Sequence, residues 1–156
     1  MLKIDREHCT GCGACIQKCP RNCISFENGE LGHVFPVVNS SECIDCGLCN
    51  LVCPIEKSVQ PPEKQKFYAV INNDLNLLKK STSGGFFSVV AEYVLNQNGV
   101  VYGCAFEDGF QAMHIRVTKW EDLQKLRGSK YLQSDTKNTF AQTQKDLESG
   151  NLVLYT

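Results

Sequence analysis

Two copies of one cysteine motif dominate the first third of this sequence. Each copy reads Cys-x2-Cys-x2-Cys-x3-Cys-Pro, and the second copy begins 34 residues after the first, at Cys43 against Cys9. The cysteines of the first copy are Cys9, Cys12, Cys15 and Cys19. Those of the second copy are Cys43, Cys46, Cys49 and Cys53. A unit this short cannot bury a core alone, so we expect the two copies to form one pseudo-twofold domain.

The motif is the run with which bacterial ferredoxins bind 4Fe-4S clusters. Three thiolates on a tight loop reach three irons, and in two-cluster proteins the cysteine before the proline ligates the other cluster. The spacing therefore predicts one cluster on Cys9, Cys12, Cys15 and Cys53. It predicts a second cluster on Cys43, Cys46, Cys49 and Cys19. Glycines at positions 11, 13 and 47 suit a loop that wraps closely around an inorganic core.

Zinc is the alternative, because paired Cys-x2-Cys units also build structural zinc sites. Zinc needs two such pairs per ion and has no use for a third cysteine three residues further on, so the spacing favours iron and sulfur. Cys23 and Cys104 lie outside the motif, and we interpret both as small buried hydrophobic residues. We assign no role to the three histidines, His8, His33 and His114.

The composition excludes several classes of function. The 156 residues carry a net charge of −1 without a cluster of Lys or Arg, which excludes the basic footprint of a nucleic-acid-binding protein. No apolar run approaches the roughly 18 residues that a membrane span needs. The polar residues 1–8 lack the apolar stretch of a signal peptide. Clustered thiols without an export signal favour metal ligands in a reducing compartment, so we expect a soluble cytoplasmic protein.

The chain divides into two predicted domains. Residues 58–66 are polar and contain two prolines, which predicts a linker. It separates a ferredoxin-like α+β domain at residues 1–57 from a second domain at residues 67–156. Within the first domain, apolar runs at 23–26 and 34–38 flank a polar turn and predict a small hairpin.

The second domain alternates between predicted strands and helices. Apolar runs predict strands at 67–71, 100–106, 114–118 and 152–155, and helical spacing predicts helices at 86–97, 121–126 and about 136–149. Asp135 is the expected N-cap of the last helix. Helices between short apolar strands predict an α/β layer with a mixed or partly parallel sheet. Because the sequence stops directly after an apolar strand, we expect it to be a fragment of a longer protein.

Two motifs of the second domain resemble the coenzyme F-420 hydrogenase/dehydrogenase beta subunit family. They are Ser81-Thr82-Ser83-Gly84-Gly85, followed by two phenylalanines, and Arg127-Gly128-Ser129-Lys130-Tyr131. Members of that family typically show a Ser-x-Ser-Gly-Gly loop and then a Gly-Ser-Lys-Tyr motif in their N-terminal part, so the resemblance covers about residues 67–156. The family continues with a Gly-Thr-Pro-Cys-Gln segment, whereas this sequence stops at Thr156, and part of a flavin site is therefore expected to lie beyond it.

The resemblance implies a flavoprotein in which FAD exchanges electrons with the iron–sulfur clusters, and hydride passes to a deazaflavin or another small-molecule acceptor. Hydroxyls at positions 81–83 and backbone N–H groups at Gly84 and Gly85 suit a phosphate cradle at a helix start. Arg127 and Lys130 would neutralise charge, and Tyr131 would stack on a ring. The structural alternative is that Ser83 only caps a helix and that Gly128 only ends one.

The prediction is an iron–sulfur oxidoreductase component that relays electrons between two 4Fe-4S clusters and a flavin, with a redox partner protein. Two alternatives remain open at this point. In one, the second domain only docks a partner enzyme and the chain is a carrier subunit. In the other, the clusters stabilise the fold without redox turnover. We assign no catalytic side chain.

Overall fold

The computed structural model describes residues 1–3, 5–56, 61, 64–107 and 110–156, which form two compact units, Met1–Glu63 and Lys64–Thr156. The boundary between the units lies inside the predicted linker at 58–66. Most of that stretch is outside the described residues, so the linker stays a prediction.

The first unit contains helix α1 (Ala14–Lys18), strands β1 (Ile24–Asn28) and β2 (Val34–Val38), and helix α2 (Leu48–Leu51). The second unit contains α3 (Leu75–Lys79), α4 (Phe86–Asn96), β3 (Val100–Glu107), β4 (Gln111–Val117), α5 (Trp120–Leu123), a 3-10 turn (Gln124–Leu126), α6 (Thr139–Glu148) and β5 (Val153–Tyr155).

The hairpin predicted between the two cysteine motifs is confirmed. Strands β1 and β2 pair antiparallel, with Ile24 opposite Val38 and Asn28 opposite Val34. The turn closes where the N–H of Gly29 donates to the carbonyl of His33 at 2.7 Å. The hairpin leads the chain from the end of one cysteine motif to the start of the next.

The core of the first unit is small and consists largely of cysteine. Its buried members are Cys23, Ile24 and Cys49. Partly buried side chains pack against them, namely Leu2, Cys15, Ile16, Cys19, Val38 and Cys43. A unit of this size buries too little apolar surface to be stable by that means alone, and metal or disulfides usually supply the rest. The nine cysteines of this unit are free thiols.

The second unit is built on a three-stranded mixed sheet in the order β4-β3-β5. Strand β3 pairs antiparallel with β4 and parallel with β5, as the alternating pattern predicts. Residues Val100–Gly103 and Ala105 of β3 are fully buried, as expected for a central strand that is covered on both faces.

Helices cover both faces of this sheet. On one face α4 packs against β3, with Ala91, Val94 and Leu95 buried against Val101 and Ala105. On the other face α6 is tied to the sheet by Asp146. The Tyr102 hydroxyl donates to that carboxylate at 2.6 Å, and Arg116 donates to it twice, at 2.8 and 2.7 Å. Such charge-assisted bidentate pairs are the strongest hydrogen bonds in proteins.

The strand predicted at 67–71 is wrong. This segment is irregular, and its side chains are exposed, by 86% at Phe67, 77% at Tyr68 and 72% at Ile71. The propensity of a residue for strands reflects packing against neighbours, and these residues have no sheet face to cover. The segment is held instead at its end, where the N–H of Asn72 donates to the carbonyl of Gly84 at 2.7 Å.

Two helix predictions need correction. Helix α4 is confirmed, but its buried side contains Ser88 and Ala91, while Phe86 and Tyr93 are mostly exposed. Helix α6 begins at Thr139 rather than near 136. Asp135 does not cap it, because Asp135 bridges to Met113 of the sheet and its carboxylate accepts from the N–H of Lys137. Among the helices of the described residues, none has the length and apolar character to cross a membrane.

Candidate metal centres and a polar cavity

One cavity of the first unit is lined by four cysteines from both motifs. Cys9, Cys12 and Cys15 come from the first loop, and Cys53 comes from the end of the second motif. The cavity measures about 550 Å³ and opens to solvent. Its other walls include the apolar side chains of Leu2, Phe26, Pro36, Pro54 and Ile55, together with the polar residues Lys3, Asp5, Thr10 and Glu56. The four cysteines are the set that the spacing predicts for one cluster.

A second cavity is lined in the reciprocal way, by cysteines of the second motif and the last cysteine of the first. Its lining includes Cys43, Cys46 and Cys49 of the second loop together with Cys19 of the first motif. It measures about 350 Å³, and Leu2 lines this cavity as well as the first one. Each cavity thus receives three cysteines from one motif and the last cysteine of the other.

The two cysteine loops share an unusual backbone conformation. Gly13 and Gly47, at equivalent positions of the repeat, have φ angles of 75° and 73° and precede helices α1 and α2. Gly11 has a φ of 63°, and its counterpart Asp45 has a φ of 52°. Left-handed backbone favours glycine, and aspartate is among the few other residues that adopt it. The loops therefore curl in the same way around both cavities.

The donor set fits iron–sulfur clusters. Thiolates are the ligands of both zinc and iron–sulfur clusters. Zinc needs its sulfurs at about 2.3 Å from a single point. The cysteines of a 4Fe-4S cluster each ligate a different iron, so they can stand apart around a larger body.

Burial affects the protonation of these thiols. Burial raises the pKa of Cys15 to about 11, and the neighbouring Cys12 adds to the increase. Since metals bind the thiolate, a cluster bound through Cys15 would have to displace this proton.

Cys23 is a cavity residue that the sequence reasoning missed. It is 6% exposed, as expected for a small buried residue, but it also lines the second cavity. Its Sγ lies 3.4 Å from the Sγ of Cys19. Burial acts to raise the pKa of Cys19, but hydrogen bonds from the backbone N–H groups of Cys23 and Arg21 and from the Cys23 side chain outweigh it and lower that pKa. The pKa of Cys23 is raised to about 11, chiefly by its hydrogen bond to Cys19.

Asn50 fixes the N-terminal residues beside both cavities. Its Oδ1 accepts from the N–H of Lys3 at 3.0 Å, and its Nδ2 donates to the carbonyl of Met1 at 3.3 Å. The N-terminal ammonium also pairs with Asp45. These contacts hold Leu2, between Met1 and Lys3, at the wall that the two cavities share. No motif in the sequence indicates this role for an asparagine on a helix of four residues.

The second unit contains a polar cavity of about 290 Å³ where its two predicted cofactor motifs meet. Six of the ten predicted residues line it, namely Ser81, Thr82, Ser83, Gly85, Arg127 and Gly128. The remaining lining is the first turn of α4, at Phe86, Phe87 and Ser88. The motifs also touch directly, because the hydroxyls of Thr82 and Ser129 lie 3.3 Å apart.

The glycines of the two motifs have clear backbone roles. Gly85, with a φ of 74°, is the N-cap of α4, so the alternative in which Ser83 caps this helix is wrong. A Cβ on Gly84 would lie 2.2 Å from the carbonyl oxygen of Val70, so only glycine fits there. Gly128, with a φ of 82°, ends the 3-10 turn region. Glycine at Gly84 and Gly128 is therefore explained by the fold itself.

The charged and aromatic residues of the second motif behave differently from one another. Arg127 donates from Nε to the hydroxyl of buried Ser88 at 3.1 Å, and its guanidinium lies 4.0 Å from Glu92. The ammonium of Lys130 donates to three backbone carbonyls, those of residues 125, 126 and 127, at 3.2, 3.0 and 2.9 Å. Burial lowers the pKa of Lys130. Tyr131 is 95% exposed and stands outside the cavity lining.

Comparison with known proteins bears on the first unit. A family described as 4Fe-4S dicluster domain matches residues 2–60. A ferredoxin from Saccharopolyspora erythraea is 46% identical over 43 residues, which are 28% of this chain and 36% of the relative. A ferredoxin from Mycolicibacterium smegmatis is 38% identical over 64 residues, 39% of this chain and 56% of the relative. A 7Fe ferredoxin from Hydrogenibacillus schlegelii is 34% identical over 79 residues, 47% of this chain and 95% of the relative.

These matches and the two cysteine cavities define the first unit as a ferredoxin-type 4Fe-4S domain, followed by an α/β region with a mixed sheet. The chain covers nearly the whole of the 7Fe ferredoxin at 34% identity. It therefore belongs, through its N-terminal unit, to the iron–sulfur ferredoxins. The chain spans only 36% and 56% of the length of the first two relatives.

Proposed function

We propose that this chain is an electron carrier whose first unit holds two 4Fe-4S clusters. The observation that carries the proposal is the distribution of the eight motif cysteines over two cavities, four in each. Four thiolates per cavity are the complete ligand set of one cubane. The family match over residues 2–60 supports the same reading.

The ligand sets that we propose are crosswise. Cys9, Cys12, Cys15 and Cys53 hold the first cluster. Cys43, Cys46, Cys49 and Cys19 hold the second. The equal φ angles of Gly13 and Gly47 support the pseudo-twofold relation between the halves that such an exchange requires. Each half then depends on the other, because each cluster is anchored in both motifs.

A 4Fe-4S cluster accepts and releases one electron at a time. The chain's own residues set where and how easily this happens. The cysteines fix the position of the metal, and left-handed glycines bring backbone close to it. Apolar side chains such as Phe26 and Leu2 restrict water at the cavity walls. Because the cavities open to solvent, clusters held in them would lie near the surface, where they can exchange electrons with a redox partner protein. We propose a reducing cytoplasm as the compartment, because it preserves free thiols.

Iron analysis and a redox titration of anaerobically prepared protein test this proposal. Two clusters predict about eight irons and about eight sulfides per chain and reversible bleaching of the cluster absorbance. Two zinc ions without sulfide would refute the iron–sulfur assignment. Clusters that resist reversible reduction would instead favour a role as structural staples.

For the second unit we propose a flavin site of the kind implied by its resemblance to the coenzyme F-420 hydrogenase/dehydrogenase beta subunit family. The supporting observation is that the two motifs resembling that family line one cavity. The first turn of α4 forms one wall, and N–H groups at a helix N-terminus favour a phosphate of FAD. Hydroxyls of Thr82 and Ser83 add donors. The Ser81 hydroxyl instead donates to the carbonyl of Leu77 at 2.9 Å. A deazaflavin or another small molecule would then be the hydride acceptor, with paired single electrons delivered through the clusters.

An anaerobic FAD titration of the cluster-loaded protein tests the flavin proposal. We expect saturable binding of about one FAD per chain, and weaker binding after Thr82→Ala or Ser83→Ala. Ser41→Ala is the matched control, because its hydroxyl bonds Asn39 in the other unit. Absence of binding, with the clusters intact, would favour the alternative in which the second unit only docks a partner enzyme.

A further inference from the structure

Arg127 of the second unit lies along the first two turns of helix α4. Its Nε donates to the hydroxyl of Ser88 at 3.1 Å, and its Nη2 lies 4.0 Å from Oε1 of Glu92. Ser88 and Glu92 are four residues apart on the helix, so they lie on the same face. The arginine side chain is 14% exposed. Its guanidinium is therefore held on two of its edges.

The held guanidinium retains donors for a further partner. A guanidinium carries five N–H groups in a planar fork and keeps its charge in proteins. Within the described part of the chain, its side-chain contacts are those to Ser88 and Glu92. Arg127 and Ser88 both line the polar cavity at the start of α4. A planar fork of donors at a polar cavity suits the recognition of phosphate.

The other cation of the same motif is not available for this task. The ammonium of Lys130 donates to three backbone carbonyls, and Lys130 does not line the cavity. Among the described residues that line the cavity, Arg127 is the one with a cationic side chain. How this single cation is oriented therefore matters for any anionic group in the cavity.

Ser88 is the polar residue on the buried side of α4. It is 1% exposed, and the other buried residues of the helix are Ala91, Val94 and Leu95. A buried hydroxyl contributes little net free energy to folding, because it first loses its hydrogen bonds to water. The contact with Nε does, however, give the guanidinium a defined orientation at the cavity wall.

We propose that Ser88 is a positioning residue, which holds the Arg127 guanidinium so that its remaining N–H groups bind a phosphate of FAD in the polar cavity. The inference rests on the proposed flavin site and adds a residue that neither sequence motif contains. A mobile arginine side chain loses conformational entropy when it binds a ligand. Because Ser88 orders Arg127 before the ligand arrives, this loss is smaller and FAD binds more tightly.

Anaerobic FAD titrations of the cluster-loaded full chain test the proposal through a double-mutant cycle. We expect Ser88→Ala to weaken FAD binding about 3- to 10-fold, the value of one hydrogen bond. We expect Arg127→Met to weaken it about 10- to 100-fold, the value of hydrogen bonds from a charged group. If Ser88 acts through Arg127, the addition of Ser88→Ala to Arg127→Met causes no further loss of affinity.

Arg127→Lys provides a second background for the same test. Lysine keeps the positive charge but has no Nε–H to donate to Ser88. In this background too, Ser88→Ala should leave the FAD affinity unchanged. Urea unfolding followed by the fluorescence of Trp120 shows which variants fold, and the lysine background replaces Arg127→Met if that variant does not.

The matched control is Tyr102→Phe, which also removes a buried hydroxyl that is bonded to a charged side chain, here that of Asp146. It should lower stability and leave FAD affinity unchanged. A loss of affinity from Ser88→Ala that is equally large with and without Arg127 would overturn the positioning role, as would an unchanged affinity in Ser88→Ala alone. Both outcomes would leave the flavin site standing. Absence of FAD binding to the wild-type chain would instead overturn the flavin site and this inference together.

Discussion

Gly13 and Gly47 hold nearly the same left-handed backbone conformation, with φ angles of 75° and 73°, at the N-caps of two different helices. Each glycine stands between the second and third cysteine of its motif. The turn that it makes sends Cys15 and Cys49 into helices α1 and α2, while the preceding cysteine remains in the loop. The same local geometry therefore positions the proposed ligands in both cavities.

Gly47 offers a test of this backbone requirement. A Cβ at Gly47 would meet no protein atom within 4 Å, so a substitution there strains the backbone without a clash against another side chain of the unit. We expect Gly47→Ala to lower the free energy of unfolding by about 1–2 kcal/mol, the cost of a left-handed residue with a Cβ. Gly47→Asn should be milder, since asparagine tolerates this conformation. Chemical denaturation of the loaded chain, followed by cluster absorbance, measures both. Equal stability of Gly47→Ala and the wild type would contradict the argument.

Asp146 is predicted to stabilise the second unit in a pH-dependent way. Hydrogen bonding by Arg116, together with the Tyr102 hydroxyl, lowers the pKa of Asp146 from 3.8 to about 2. Because the pKa is lower in the folded state than in the unfolded state, the stabilisation is complete above about pH 4. It is lost as the pH falls from there through about 2.

The corresponding variant is Asp146→Asn. At neutral pH we expect it to cost about 1.5–3 kcal/mol, the value of hydrogen bonds to a charged group. Urea unfolding followed by the fluorescence of Trp120, the only tryptophan, reports on this unit. The difference from the wild type should shrink below about pH 4. Asp122→Asn is the control, because the Asp122–Lys125 pair is solvent-exposed and its loss should change stability far less. A difference of constant size from pH 7 to pH 2 would refute the role of the Asp146 charge.

A substitution of Lys130 tests whether this residue has a structural or a ligand-binding role. Its ammonium donates to three backbone carbonyls, which leaves the fold and not a cofactor as its partner. We expect Lys130→Met to lower the free energy of unfolding by about 1.5–3 kcal/mol and to leave FAD affinity unchanged. Lys125→Met removes an exposed ammonium nearby and serves as the control. Unchanged stability combined with weaker FAD binding would restore the charge-neutralising role expected from the sequence.

The residues that sequence reasoning placed well are those whose position follows from local spacing. The cysteine motifs, the hairpin at Ile24 to Val38 and the buried strand β3 all repeat or alternate within a few residues. The prediction of a strand at 67–71 was wrong, because an apolar run forms a strand only when it pairs with the edge of a sheet. Whether such an edge is available depends on residues far away in the sequence. The prediction of Asp135 as a helix N-cap was wrong for a related reason, since Asp135 forms a β-bridge to Met113 instead.

The parts of the sites that escaped prediction depend on distances that spacing does not encode. Cys23 lies four residues after Cys19, across an irregular turn, and only the folded chain shows that the two sulfurs are 3.4 Å apart. The three carbonyls around Lys130 belong to a 3-10 turn and to the residue that follows it, and this turn was predicted only as the end of a helix. Asn50 likewise reaches back to residues at the other end of the first unit.

Crosswise ligation is the central claim, and a pair of single substitutions tests it most directly. Cys19→Ser and Cys53→Ser are prepared anaerobically, and cysteines that no longer bind iron are alkylated and located by mass spectrometry. In Cys19→Ser we predict increased alkylation of Cys43, Cys46 and Cys49, while the cysteines of the first cavity stay protected. In Cys53→Ser we predict the reverse, with Cys9, Cys12 and Cys15 alkylated. Increased alkylation of Cys9, Cys12 and Cys15 in Cys19→Ser, with the second loop protected, would show that each motif holds its own cluster and would contradict the account.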